Sequence, residues 1–354
     1  MKHTEVNITR FFSFKRVIIP VLLGLGVAFF LIYNNTDINV FSTIRWNNSS
    51  YVWLFFALLM VVFRDFGYIL RLRLLTNKVI SWKHSLQTIM LWEFASALTP
   101  SVVGGSAVAM FIINKENIPL GKSSAIVMIT ALLDELFYLI TVPFVLLAAQ
   151  NYSVFSQNNY QFLGMTFSSF GLFLVGYGFM FVLAAFISFA VFIHPKSIKN
   201  LLLRIFSLKW LRKWKNGALK TGNDLITTSH EMKGKSFFFW TKAFGYTCFS
   251  WTSRFLFVNF LILAFIPIDS HLHIYATQMV MWVVMLISPT PGAAGLAEFI
   301  FNDFLNVFLV VGLAPVLALF WRFFTYYIYL IVGSLLLPGW FSRVFKKTNI
   351  SEKN

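Results

Sequence analysis

Leu98-Thr99-Pro100-Ser101-Val102-Val103-Gly104-Gly105-Ser106 interrupts an otherwise apolar part of the chain with one proline and two adjacent glycines. A proline removes a backbone donor from a helix and clashes with the preceding turn, and a glycine pair weakens the helix further. In the hydrocarbon of a membrane, such irregular backbone persists only where it is buried in protein or lines a wet cavity. The stretch therefore predicts a broken helix beside a polar site.

A second stretch of the same kind lies far downstream, with Pro289 following Pro100 by 189 residues. It reads Ile287-Ser288-Pro289-Thr290-Pro291-Gly292-Ala293-Ala294-Gly295-Leu296-Ala297-Glu298. Two broken hydrophobic segments in corresponding halves of a membrane protein indicate a binding site near the middle of the membrane.

The composition is that of an integral membrane protein. Of 354 residues, 58% are hydrophobic and 12% charged, about half of the roughly 25% charged residues usual in soluble domains. We expect a single polytopic domain over residues 1–350. The net charge of +16 is interpreted as loop charge that sets topology and meets anionic lipid, not as a nucleic-acid surface. Cys248 is the only cysteine, which excludes a disulfide within the chain.

Loop charges and apolar runs predict an all-α fold with six full spans, two re-entrant broken helices and both termini in the cytoplasm. The spans are expected at 17–33, 51–70, 123–149, 162–193, 237–266 and 314–337. Basic residues flank the first broken segment, 85–113, which is therefore expected to enter from the cytoplasm. The second, 274–311, has no basic flank and is expected to enter from outside. If either hairpin crosses fully, the count becomes seven or eight.

The two halves form an inverted repeat of span, re-entrant hairpin and span. The first repeat covers about 51–149 and the second about 237–338, and they are separated by a basic cytoplasmic loop at 194–235. When Pro100 is laid on Pro289, these residues match to within one position: Arg64 with Arg254, Trp92 with Trp282, and Asp134 with Arg322. Within the basic loop, Leu201–Leu219 has the composition of an amphipathic helix on the inner leaflet, although a solvated linker explains its charge equally well.

Ionisable residues inside a span cost roughly 2.5–3.5 kcal/mol on insertion scales, so each needs a partner or a function. Asp134 and Glu135 lie deep within a predicted span, and their expected counter-charges are Arg64, Arg254 and Arg322. Two interpretations remain open. The charges form ion pairs that fix the helix register, or they line a polar cavity that holds a lipid headgroup.

The broken segments add anion-binding groups to such a cavity. We expect new half-helices to start after Gly105, over Ser106–Ile113, and after Gly295. Free N–H groups and the positive dipole end of a helix N-terminus bind phosphate, and Arg254 or Arg322 can hold the same anion. Glu298 falls in the first turn of its half-helix, where it either complements the dipole or faces a substrate ammonium.

The sequence has no P-loop, dinucleotide fingerprint or nucleophile elbow. His271 and His273 are accompanied only by Asp269, which is weak evidence for a metal site. We therefore predict no catalytic residue, no metal and no cofactor.

Several motifs resemble those of a known family. They are Leu98-Thr99-Pro100 with Gly104-Gly105, Asn117 to Lys122 (Asn-Ile-Pro-Leu-Gly-Lys), and Ser288 to Gly292 with Gly295 and Glu298. Together they resemble the lysylphosphatidylglycerol synthase transmembrane region family, the flippase-like UPF0104-type inner-membrane proteins of bacteria and archaea. In bifunctional members, this region moves an aminoacylated lipid made by a soluble aminoacyl-transferase domain. Because this chain ends soon after its last predicted span, we expect no synthase activity.

The resemblance implies a lipid flippase, or a translocator of a lipid-linked amphiphile, in the bacterial cytoplasmic membrane. Its expected partners are anionic or aminoacylated phospholipid, with a second copy of the chain or an envelope protein as further partners. The residues predicted to hold the headgroup are Arg64, Pro100, Gly104, Gly105, Asp134, Glu135, Arg254, Pro289, Thr290, Pro291, Gly292, Gly295, Glu298 and Arg322. Two alternatives are a membrane enzyme acting on lipid phosphates through Asp134, Glu135 and Glu298, and a non-transporting subunit of an envelope-lipid complex.

Overall fold

The computed structural model describes Tyr33 and residues 47–99, 101–162, 165–208, 212, 215–286, 288, 290–310 and 312–351. The predicted first span lies outside these residues except for Tyr33. Pro100 and Pro289, on which the repeat was aligned, also lie outside them, as do the side-chain surroundings of residues 101–104.

The first half of the described chain contains four helices. They are α1 (Asn48–Leu75), α2 (Trp82–Leu98), α3 (Ser101–Lys115) and α4 (Leu120–Ala148). Side chains cap the N-termini of α1 and α2. Asn47 Oδ1 accepts a hydrogen bond from the Ser50 N–H at 2.9 Å, and Ser81 Oγ accepts one from the His84 N–H.

Helices α2 and α3 form the first hairpin. A Cβ at Gly105 would lie 2.9 Å from the Cα of Ser96, so glycine permits the close approach of the two helices. Helix α3 already begins at Ser101. The prediction that this half-helix begins after Gly105 is therefore wrong, because the helix already runs through Gly105, which serves helix packing.

A short β-hairpin follows α4. Its strands, β1 (Asn159–Phe162) and β2 (Met165–Ser168), pair antiparallel with Tyr160 opposite Phe167. Helix α5 (Ser169–Ser188) then continues as a π-helical turn over Phe189–Ile193. The predicted span at 162–193 consequently begins at Ser169, because the preceding residues are extended.

The basic loop folds into two helices, α6 (Pro195–Ile205) and α7 (Lys215–Lys233). The prediction of one amphipathic helix over Leu201–Leu219 is wrong, because α6 ends at Ile205. Helix α7 packs on α4 and on α6, and Lys199 lies against Gly222 where these two basic helices meet.

The second half of the chain repeats the order of long helix, hairpin and long helix. Its helices are α8 (Phe237–Leu263), α9 (His271–Met285), α10 (Leu296–Leu305), α11 (Ala314–Arg322) and α12 (Ile328–Ser351), with a π-helical turn at Phe323–Tyr327. Helices α9 and α10 pack together as the second hairpin. Helix α10 begins at Leu296, as predicted, directly after Gly295 at φ +84°.

Four helical stretches in the described chain are long and apolar enough to cross a membrane. They are Asn48–Leu75, Leu120–Ala148, Ser169–Ile193 and Ala314–Val344. Helix α8 has 27 residues but is not among the four. The chain is thus a multi-pass helical membrane protein, and the six spans and the re-entrant entry of the hairpins stay predictions.

Helices of the two halves pack against each other and fix the positions of the two hairpins. Helix α1 lies along α8, where Ser250 Oγ donates to the Arg64 carbonyl at 3.0 Å beside Gly67. Helix α2 of the first hairpin packs on α12, and α9 of the second hairpin packs on α4. Each hairpin therefore lies against the last long helix of the opposite half.

Candidate functional site

A cavity of about 350 Å³ lies between the two hairpins. The first hairpin contributes Trp92 and Glu93 from α2, and the second contributes residues of the 286–295 loop. Helices α4, α5, α8, α11 and α12 and the π-helical turn at Phe323–Tyr327 contribute the rest of the wall. Six predicted headgroup residues line this cavity: Asp134, Glu135, Arg254, Thr290, Gly292 and Arg322.

Asp134 is held by an arginine that was not predicted for the site. The Arg71 guanidinium donates to both Asp134 oxygens, at 2.6 and 3.1 Å, and to Thr247 at 2.9 Å. Trp251 Nε1 donates to the same carboxylate at 2.9 Å. The predicted counter-charges for Asp134 were wrong, because Arg71, one position beyond the predicted span at 51–70, is buried against α4 and α8.

Arg64 lies behind the cavity wall, 1% exposed. Its guanidinium pairs with Asp65 at 2.9 Å and with Glu93 at 3.5 Å, and lies over the Tyr329 ring at 4.5 Å. Tyr329 in turn donates to Asp65 at 2.9 Å. Arg64 therefore orients the cavity-lining Glu93 and does not line the cavity itself.

Arg322 and Glu298 form a buried ion pair at the start of α10. Arg322 Nε donates to Glu298 Oε1 at 3.0 Å, and its Nη2 donates to the Gly292 carbonyl at 3.0 Å. The other Glu298 oxygen accepts from the Gly295 N–H at 2.8 Å. Glu298 thus occupies the helix N-terminus that was predicted to be free for phosphate, in agreement with the helix-dipole interpretation of this residue.

Arg254 has a different environment. Its guanidinium lies 4.7 Å from the Trp251 ring and 4.8 Å from the Trp282 ring, and donates to the Tyr68 hydroxyl at 3.2 Å. No carboxylate of the described chain lies within 4.0 Å of it. Arg254 therefore lines the cavity as a cation that forms no ion pair with a described residue.

The remaining predicted residues support the wall. In the second loop, Thr290 Oγ1 donates to the Ala294 carbonyl and lies 3.0 Å from Ser288 Oγ. Gly292, at φ +56°, leaves room for the Tyr326 ring. Five predicted residues do not line the cavity: Arg64, Gly105, Pro291, Gly295 and Glu298. The described residues do not include Pro100, Pro289 or the surroundings of Gly104.

Comparison with known proteins identifies the family. Residues 17–333 match the model of the lysylphosphatidylglycerol synthase TM region. The chain belongs to this family. It is also similar to a UPF0104 membrane protein of Archaeoglobus fulgidus, 24% identical over 332 residues that cover 90% of this chain and 94% of the relative. No solved structure matches the chain significantly.

Sequence reasoning missed the aromatic part of this family member's cavity. The cavity is lined by Trp251, Trp321, Tyr138 and Tyr329, and none of them is among the predicted headgroup residues. One signal did exist, because Trp92 and Trp282 matched in the repeat, and both line the cavity.

Within the described ranges, no three His, Cys, Asp or Glu side chains cluster as a metal site.

A second cavity of about 90 Å³ shares Trp92, Glu93, Thr130 and Asp134 with the first and extends the polar surface towards Arg71.

Proposed function

We propose that this protein moves a phosphate-bearing amphiphile between the leaflets of the bacterial cytoplasmic membrane, with the headgroup held in the cavity between the hairpins. The observation that carries the proposal is Arg254, a cation in an aromatic-walled cavity with no carboxylate of the described residues within 4.0 Å. A buried charge is costly unless it is paired. A phosphate compensates it best, because a guanidinium binds phosphate through two parallel hydrogen bonds.

The proposal includes the topology expected from the sequence. Both hairpins enter the membrane without crossing it, from opposite faces, as parts of an inverted repeat with six full spans and cytoplasmic termini. The reciprocal packing of α2 on α12 and of α9 on α4 supports this arrangement. The basic residues of α6 and α7 support a cytoplasmic position for that loop.

Side-chain hydrogen bonds hold the bases of both hairpins, and transport by this route would require the tips to move. At the base of the first hairpin, Glu116 accepts from Trp340 Nε1 and from Arg343 Nη1, both at 3.0 Å. At the base of the second, Asp303 accepts from Asn158 and Tyr160 of the β-hairpin. Small movements of the tips would then open the cavity towards one leaflet or the other.

Transport in reconstituted vesicles tests the proposal. The rate at which an acyl-labelled phospholipid changes leaflets is measured for the native protein, for Arg254→Ala and for Lys242→Ala. Lys242 is the matched control, since it lies on the same helix over the Phe238 ring and does not line the cavity.

We expect Arg254→Ala to slow transport by at least about tenfold, because hydrogen bonds to a charged group contribute about 1.5–3 kcal/mol and 1.4 kcal/mol is a factor of ten. Lys242→Ala should keep the native rate. Equal rates for Arg254→Ala and native protein would contradict the proposal. Chemical change of the lipid in detergent would support the enzyme alternative.

A further inference from the structure

Glu135 lines the cavity and forms no ion pair with a described residue. Its side chain belongs to a residue that is 6% exposed, and its Oε2 atom has no hydrogen-bond partner among the described residues. The two other carboxylates of the described lining are paired, Glu93 with Arg64 and Asp134 with Arg71. A buried carboxylate without a partner is costly, and binding a proton removes its charge.

The groups around Glu135 in the described chain do not supply a cation. On its own helix, Asp134 adds a like charge at the next position, and the buried Tyr138 hydroxyl has no hydrogen-bond partner among the described residues. Helix α1 brings Arg71, which is bound to Asp134.

The helices packed on α4 add one charged side chain to the described cavity wall. Helix α8 brings Arg254, which forms no ion pair with Glu135, while α7 and the π-helical turn after α5 do not line the cavity. Helices α3, α5 and α9 line it with uncharged side chains: Ser106, Met180, Trp282 and Met285. Three tyrosines of neighbouring helices interact with this part of α4: Tyr68, Tyr177 and Tyr275.

The charges of the described cavity wall determine what can be enclosed together with a phosphate. The phosphate matches Arg254, as proposed above, and Arg322 is matched by Glu298. If Glu135 stayed ionised, the closed cavity would hold a carboxylate without a cation, directly beside the carboxylate of Asp134. A bound proton removes this charge, and a protonated carboxyl can also donate a hydrogen bond.

We infer that Glu135 is a proton-binding site of the transport cycle: the cavity closes around a phosphate headgroup only when a proton is bound to this carboxyl. This inference rests on the proposed function and adds the second ion that the cycle takes up. The proton comes from water on the face to which the cavity is open, binds a carboxylate oxygen of Glu135, and returns to water when the cavity opens again. The carboxyl thus alternates between an ionised form in the open, hydrated cavity and a neutral form in the closed one.

The pH dependence of lipid movement tests the inference. The rate at which acyl-labelled phosphatidylglycerol changes leaflets is measured in phosphatidylcholine vesicles with equal pH on both sides, at about pH 6 and about pH 9. The phosphodiester of this lipid keeps one negative charge over that range, so the lipid itself does not titrate. The vesicles contain native protein, Glu135→Gln or Glu231→Gln. Glu231 is the matched control because it lies on α7, away from the cavity.

We expect native protein and Glu231→Gln to move the lipid about tenfold more slowly at the higher pH, because the neutral form of a carboxyl falls tenfold for each pH unit above its pKa. Glu135→Gln cannot ionise, so its two rates should agree to within about twofold. Native rates that agree equally well at both pH values would overturn the inference, and so would slowing that persists in Glu135→Gln.

Infrared spectroscopy separates this inference from the transport proposal, because it needs no lipid movement. A protonated carboxyl has a carbonyl stretching band that an ionised carboxylate lacks. With glycerophosphoglycerol at neutral pH, we expect a band of this kind in purified native protein and in Glu231→Gln that is missing in Glu135→Gln. In native protein it should weaken between about pH 6 and about pH 9.

This band without movement of any lipid would support the proton site and contradict transport. Identical carbonyl bands in native protein and Glu135→Gln, or a native band that does not change with pH, would overturn the proton site even if lipids move.

Discussion

Arg71 on α1 and Asp134 on α4 form a two-point ion pair, with oxygen–nitrogen distances of 2.6 and 3.1 Å, at the edge of the cavity. The pair joins the first and last long helices of the first half, and Trp251 of the second half donates to the same carboxylate. It therefore couples the cavity wall to the contact between the halves.

Removing one member of this pair should destabilise the protein strongly. Arg71 is 4% exposed, and breaking a buried pair from one side typically costs about 3–5 kcal/mol because the other charge stays buried. We expect Asp134→Asn to lower the melting temperature of the purified protein, and the double change Arg71→Met with Asp134→Leu to recover most of the loss. A single change without effect on the melting temperature would contradict this account of the pair.

Glu298 should prove to be a structural residue. Glu298→Ala leaves Arg322 without its carboxylate and the Gly295 N–H without its acceptor, so we expect a loss of about 3–5 kcal/mol. Hydrogen exchange should rise in α10. If Glu298→Ala melts like the native protein but transports more slowly, the glutamate acts on the substrate, as one interpretation of the sequence held.

The tip of the second hairpin depends on glycine at position 292. Gly292 has φ +56°, and an added Cβ would collide with the Tyr326 ring. Alanine at such a backbone conformation costs more than the roughly 0.4–1 kcal/mol that it gains through the unfolded chain. We expect Gly292→Ala to reduce the melting temperature, whereas Gly178→Ala, in open space on α5, should match or exceed native stability.

Helix α7 should contribute a pH-dependent stability through Glu231. Partial burial raises the pKa of this carboxyl, but hydrogen bonds from Lys122 and Asn77 and the charges of Lys122 and Lys235 outweigh it and lower the pKa below 4.5. A group with a depressed folded-state pKa stabilises above its unfolded pKa and loses this contribution as pH falls through the folded value.

We therefore expect Glu231→Gln to be less stable than native protein at neutral pH, by less than about 1 kcal/mol for so exposed a pair. The difference should diminish as pH falls below about 4.5 and vanish only below the folded-state pKa. Melting curves at several pH values measure it, and a difference that grows as pH falls would contradict the sign.

The sequence predicted the parts of the fold that follow from composition. The apolar runs placed α1, α4, α5 and α8, and Gly295 marked the start of α10, because these features depend on local chain properties. The two broken segments predicted the loops that meet at the cavity. The β-hairpin before α5 was missed, since its residues lie between a loop and an apolar run without a turn motif.

Charge pairing could not be derived in the same way. Asp134 has Arg71 as its partner 63 positions away, and Arg64 pairs with its own neighbour Asp65 and with Glu93. Which of several arginines meets a carboxylate depends on helix rotation and crossing, which a sequence does not state. For the same reason, the sequence could not show that no carboxylate of the described chain lies within 4.0 Å of Arg254.

The most direct test of the central claim is a cryo-electron microscopy structure of the protein in nanodiscs made from bacterial lipid. The account predicts density for a phosphate within hydrogen-bond distance of the Arg254 guanidinium, between two hairpins that end inside the bilayer. A cavity filled by protein side chains, or hairpins that lie outside the bilayer, would contradict it.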